Sequence, residues 1–350
     1  MNTSLAIIEG AYLRDILEQP AATRRTLDSL AAAAPTAAAL SLLRESRSFD
    51  RIVLTGMGSS FHALHPLNLR LNQAGIVAQM IETSELLNYY PETLGNRTLT
   101  VAVSQSGESA EIVRMLRDQV ARGTVVGITN TPESSLAVGS TFSVVTAAGP
   151  ESTVSCKTYL ASLQALHWLG YALLGEDMAT ALADLAKVHQ GVTSYLSSWQ
   201  GHVEWFIEQL AETRQLFVTG RGWSLATAGT GGLILKESVR FSAEGMSSAA
   251  FRHGPFESLS RAVLLCICLG DDRTAMLNRR LHSDVRAAGG RSFLIAGDSP
   301  HPALRLPPVL PELLPVLEIL PVQMISLALG AHLGEEAGKF ALATKVTTVE

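Results

Sequence analysis

The chain has 350 residues, of which 47% are hydrophobic and 17% charged, with a formal net charge of −5. That length suits one large domain or two ordinary ones, and that composition belongs to a protein with a sizeable core. The negative charge and the lack of lysine or arginine runs exclude a nucleic-acid footprint, although backbone amides can still hold one small anion on an acidic protein.

Residues 1–48 are Ala-rich, carry no strand signal and read as helical. They contain no basic segment followed by an apolar stretch, so no secretory signal is expected. "RIVLTG" (51–56) reads as a buried strand, followed by the turn Gly56-Met57-Gly58-Ser59-Ser60 and a helix that Pro66 should kink or delay. "GIVAQMI" (75–81), "LTVAVS" (99–104), "TVVGITN" (124–130) and "FSVVTA" (142–147) are further β-branched runs. Helical segments separate most of them, the pattern of βαβ units with a parallel sheet. A long helical region spans about 153–212, and "QLFVTG" (215–220), "AVLLCICLG" (262–270) and "RSFLIAG" (291–297) then resume the strand pattern. Alternation puts Cys266 and Cys268 on one strand face. No His or third Cys is spaced to complete a metal site, so both read as core residues and no metal is expected. The most apolar region, 307–334, is interrupted by Pro308, Pro311, Pro315, Pro321, Glu312 and Glu318. It is not expected to span a membrane, and the default location is the cytoplasm.

The restart carries a repeat. "IVLTGMGSS" (52–60) aligns with "LFVTGRGWS" (216–224), placing Gly56 on Gly220 and Ser60 on Ser224 at an offset of 164 residues. At the same offset "VAVSQSG" (101–107) falls on "LCICLGD" (265–271). The chain thus reads as two copies of one α/β unit. The polar run Ser104-Gln105-Ser106-Gly107-Glu108-Ser109 survives only in the first, which is expected to keep the ligand pocket.

In an open parallel sheet, ligands bind beyond the carboxyl ends of the strands. The polar run sits at such an end, just before a helix whose first N–H groups favour an anion. Serine hydroxyls and the Gln105 amide add neutral donors, and Gly107 permits close approach, so the expected guest is a phosphate monoester. The plainer alternative is an elaborate helix cap without a ligand. The Gly56-x-Gly58 turn lacks the third glycine of a dinucleotide fingerprint, Phe61 standing there, and lacks the Gly-Lys-Ser/Thr of a P-loop. A small phosphorylated molecule is favoured over a nucleotide, and no cofactor is expected.

Gly-x-Gly-Ser-Ser followed by Ser-Gln-Ser-Gly-Glu-Ser resembles the phosphosugar-binding SIS (sugar isomerase) domains. Two such units in tandem resemble the isomerase half of glucosamine-6-phosphate synthase and the related amino-sugar-phosphate deaminases and deglycases. "ILEQPAATRRTL" (16–27), "ESTVSCKTYLASLQAL" (151–166), "LKESVRFSAEGMSSAAFRHGP" (235–255) and "ALATKVTTVE" (341–350) are similar to further family segments in the same order. The resemblance implies two tandem flavodoxin-like subdomains, with a helical segment at 1–48, the first subdomain at 49–190, the second at 191–340 and a tail at 341–350. It implies sugar-phosphate binding by Ser60, Ser104, Gln105, Ser106 and Ser109, beside Gly58 and Ser59 of the glycine turn, with Val154 and Ser155 bordering the pocket. It further implies Glu237 as the base, His253 as a ring-opening group given by a neighbouring subunit of a homodimer, and Lys345 as the Schiff-base lysine. Two features depart from the synthase pattern. Thr230 and Ile234 stand where it commonly has Glu and Lys, and "TVSCK" is one residue shorter.

The chemistry requires these residue types. Moving a proton between C1 and C2 of a sugar needs a carboxylate base, ring opening suits a histidine shuttle, and a buried lysine can form an imine with a ketone. A glutamine-dependent synthase also needs a glutaminase domain with a catalytic cysteine, for which the fifty residues before the first strand leave no room. The expected activity is therefore deamination and isomerisation of an amino-sugar 6-phosphate to a ketose 6-phosphate. The alternatives are a fructosamine-phosphate deglycase, a pure aldose–ketose isomerase and a non-catalytic phosphosugar sensor.

Overall fold

A computed structural model describes residues 5–342 and 344–347; positions 343 and 348–350 of the terminal motif lie outside them. Among the described residues the strands form two parallel sheets. The first runs β2-β1-β3-β4-β5, from β1 (Arg51–Gly56), β2 (Ala78–Met80), β3 (Thr98–Val103), β4 (Val125–Thr129) and β5 (Phe142–Val145). The second runs β7-β6-β8-β9, from β6 (Gln215–Gly220), β7 (Ala243–Ser247), β8 (Val263–Cys268) and β9 (Arg291–Ile295). The first four positions of both sheets share one order, that of a flavodoxin-like fold. The duplication read from the 164-residue offset is thus present in the topology, and the second copy lacks only the outer fifth strand.

The chain divides into two compact units. The first-copy unit comprises Ala21–Pro150, Lys157–Lys187 and the tail from Ala343. The second-copy unit comprises Met1–Pro20, Glu151–Cys156 and Val188–Leu342.

In the first-copy unit every residue of β3 and β4 is buried. Helices on both faces of a parallel sheet explain why these strands are continuous apolar runs rather than alternating ones. Val53 and Ala102 pack with Leu86, Leu87, Ile112, Met115 and Leu136 on one such face. Full burial of each larger side chain contributes about 1.5–3 kcal/mol. Pro66 divides the helix after β1 as expected: one segment, Gly58–His62, ends before it, and a second, His65–Gln73, carries Pro66 in its first turn.

In the second-copy unit Phe217, Leu265 and Ile267 pack with Phe251, Leu281 and Val285. The helix Leu225–Val239 lies close against β7 because glycines face each other there. A Cβ on Gly232 would stand 2.3 Å from the Gly245 nitrogen, and one on Gly245 would stand 2.0 Å from the Ala228 carbonyl oxygen. The Gly231-Gly232 pair is a packing device for this helix, which carries Glu237.

The region 307–334 departs from the sequence reading. Residues Leu314–Leu333 form one continuous helix that includes Glu318 and Pro321. Pro315 is in its first turn, where the missing N–H has no intrahelical acceptor to lose, and tertiary burial tolerates Pro321. The helix is long and apolar enough to cross a membrane, but 94% of its apolar window is buried inside the structure. It packs on the helices Trp199–Leu210 and Leu225–Val239 of its own unit.

Candidate active site

The first-copy unit holds the polar run Ser104–Ser109. β1 and β3 are neighbours with Gly56 opposite Val103, so the glycine turn and the polar run leave adjacent strand ends. Ser104 is 6% exposed, and its Oγ accepts the Gly107 N–H at 3.1 Å. Ser106 Oγ accepts the Glu108 N–H at 3.1 Å, and the Ser104 and Ser109 hydroxyls lie 3.5 Å apart. Gly107 has φ +68°, and a Cβ there would stand 2.1 Å from Ser134 Oγ. The left-handed backbone and the close neighbour both require glycine.

Glu108, the one acid of the run, is turned away. Its carboxylate accepts the Ser135 N–H at 2.6 Å and the Ser135 hydroxyl at 2.8 Å. The remaining groups are neutral donors. Among the described residues no hydrogen bond engages the side chains of Ser59, Ser60 or Gln105, all half-buried. Ser109, in extended conformation, opens the helix Ala110–Arg117. The C-terminal tail reaches this turn: the Thr347 carbonyl accepts the Ala110 N–H at 3.1 Å. Lys345 lies two residues earlier in this tail and is half-buried.

The second-copy unit holds the other candidates. Glu237 is half-buried near the end of its helix, and Thr230 and Ile234 on the same helix are buried. Both are uncharged where the synthase pattern commonly has Glu and Lys. Tyr12 lies close to Glu237. Burial holds the Tyr12 phenol well above its ordinary value, with neighbouring Cys156, Glu237 and Glu151 adding to the rise and a hydrogen bond with Ser326 opposing it. The segment 151–156 is pinned within this unit: Glu151 Oε1 accepts the Cys156 N–H at 2.9 Å, and Thr153 Oγ1 donates to Asp15 Oδ2 at 3.2 Å. Val154 is fully buried and Ser155 half-buried. His253 is exposed, at the end of the short helix Ser248–Arg252, and Gly254 follows with φ +142°.

The predicted residues thus fall into two groups. Gly58, Ser59, Ser60, Ser104, Gln105, Ser106, Ser109 and Lys345 belong to the first-copy unit, and Val154, Ser155, Glu237 and His253 to the second. Sequence reading missed Tyr12, whose helix carried only an apolar signal. It also missed the tail-to-helix bond of Thr347, which spacing does not encode. Among the described residues no cluster of His, Cys, Asp and Glu could hold a metal.

Comparison with known proteins agrees with this architecture. Residues 46–170 match the SIS domain family. The chain is 30% identical over 356 aligned positions to glutamine–fructose-6-phosphate aminotransferase (isomerizing) of Pyrococcus horikoshii, covering 98% of this chain and 58% of that protein. It therefore spans somewhat over half the length of this relative. In structure it is similar to the C-terminal domain of glucosamine-fructose-6-phosphate aminotransferase from Francisella tularensis, with a TM-score of 0.81, 21% identity and coverage of 96% and 100% of the two chains. It is also similar to glucosamine-6-phosphate deaminase of Thermotoga maritima, with a TM-score of 0.76, 17% identity and coverage of 96% and 99%. At these identities the two structures speak for the fold alone.

Proposed function

We propose, from the match of residues 46–170 to the SIS domain family, that the chain is a phosphosugar isomerase/deaminase that converts an amino-sugar 6-phosphate into a ketose 6-phosphate and ammonia. The observation that carries this reading is the neutral donor turn Ser104–Ser109, with its one carboxylate tied to Ser135. Such a turn favours a phosphate over a cation or an apolar guest.

In the proposed reaction the turn, Ser60 and Gln105 hold the phosphate. His253 passes a proton between ring oxygen and C1 hydroxyl to open the sugar. Glu237 removes the C2 proton, giving a 1,2-enolamine, and its carboxyl, in exchange with solvent, returns a proton at C1. The C2 imine that results is hydrolysed by water, releasing ammonia and leaving the ketone. Lys345 can hold a ketose as an imine in the reverse direction. Ammonia release by the purified chain from a panel of 2-amino-2-deoxyhexose 6-phosphates tests the reading. Release from at least one member is expected, and binding without release from any would make the chain a sensor.

We also propose a homodimer in which His253 serves the partner's site, supported by the exposure of this histidine. Glu237→Gln and His253→Ala should each be inactive. Mixed after dissociation, they should recover about a quarter of the sites if chains pair at random. Proven mixed dimers with no recovery would show that both residues act in one chain.

A further inference from the structure

The second copy has lost the polar run, yet the place is not empty. Ser224, aligned with Ser60, donates its hydroxyl to Glu318 Oε1 at 2.8 Å. Thr227, one turn further along the same helix, donates to Glu318 Oε2 at 2.9 Å. Cys268 lies at the end of β8, at the position aligned with Ser104, and its thiol is the third hydrogen-bond partner of this carboxyl. Glu318 and Ser224 are both fully buried. Two hydroxyls and a thiol thus converge on one carboxyl group beyond the carboxyl ends of β6 and β8, the position at which the first copy presents Ser60 and Ser104.

We propose that Glu318 is a built-in substitute for the ligand anion: its carboxylate fills the anion site of the second copy and clamps the start of the helix that carries Glu237. The site is thereby occupied from within the fold. A separate cavity of about 300 Å³, beside Trp223 and lined by Asp271, Asp272, Arg273, Leu310 and Glu312, carries more acidic than basic groups and is unsuited to a second phosphate. The titratable group facing Glu318 from β8 is Cys268, with Cys266 behind it; the hydroxyls of Ser224 and Thr227 face it from the adjoining helix. Burial raises the Glu318 carboxyl to about 7, against which its three donors act.

Glu318→Ala vacates the site, and acetate is the probe. Sodium acetate should raise the melting temperature of Glu318→Ala by roughly 5 °C and that of the parent by less than about 1 °C, while isosteric acetamide should do neither. Equal effects of acetate and acetamide, or no effect on a folded variant, would overturn the proposal. A second comparison holds if Glu318→Ala does not fold. A carboxyl whose folded value is raised stabilises fully below its unfolded value near 4.5 and progressively less as pH rises through about 7. The stability of the parent relative to Glu318→Gln should therefore fall across pH 4.5–7, and Ser224→Ala with Thr227→Val should move that fall to higher pH. A fall that stays at the same pH in the Ser224→Ala, Thr227→Val background would show that the two hydroxyls do not favour the charged form, and the substitute-anion reading would be lost.

Discussion

Glu237→Gln is expected to lower turnover of an amino-sugar 6-phosphate by ~10²–10⁴ while leaving its affinity nearly unchanged. The amide keeps the shape and volume of the side chain but cannot accept the carbon-bound proton. Its helix is held by packing that this change does not touch: Gly232 and Gly245 set the approach to β7, and Ser224 and Thr227 bond Glu318. Folding should therefore be preserved, and a melting curve checks that. Stopped or steady-state assays of ammonia release, paired with calorimetric binding, separate the two quantities. A variant that keeps more than about a tenth of parental turnover would assign the proton transfer to another group.

The polar turn proposed to hold the phosphate gives the second large effect. Ser104→Ala combined with Ser106→Ala should weaken phosphosugar binding about 100-fold or more, because each hydrogen bond to a charged group contributes ~1.5–3 kcal/mol. Both hydroxyls also accept a backbone N–H within the turn, from Gly107 and Glu108 respectively. Part of the loss will therefore come from a turn that is less well held. Comparison of phosphorylated with unphosphorylated sugar separates the causes: the difference in affinity should shrink in the variant, since only the phosphorylated ligand loses contacts. An affinity unchanged by calorimetry would remove the phosphate from Ser104–Ser109.

Much of the fold is legible along the chain because buried parallel strands are written as short β-branched runs. "RIVLTG" coincides with β1 and "QLFVTG" with β6. β7, with the sequence Ala-Glu-Gly-Met-Ser, carries no β-branched residue. It is a strand because β6 pairs with it and Gly245 admits the neighbouring helix, and neither cause is local. Prolines in 307–334 mark interruption in a propensity reading, but tertiary burial carried a helix through Pro321. The polar turn Ser104–Ser109 was legible because its hydroxyls are contiguous. The Glu318 site was not: Ser224, Thr227 and Cys268 are separated from it by 50 to 94 residues, and Glu318 read only as a break in an apolar stretch. The Cys266–Cys268 pair reads as core from spacing, and both thiols are buried and free. That one of them also meets a carboxyl is a fact of three dimensions.

The central claim is that this chain moves a proton between C1 and C2 of a hexose 6-phosphate. Proton NMR of fructose 6-phosphate incubated with the purified chain in D₂O tests it without any assumption about the group that leaves C2. Enzyme-dependent loss of a C1 proton signal by deuterium exchange is predicted, and it should be abolished in Glu237→Gln. Saturable binding of the ketose phosphate with no exchange at C1 over many hours would contradict the claim.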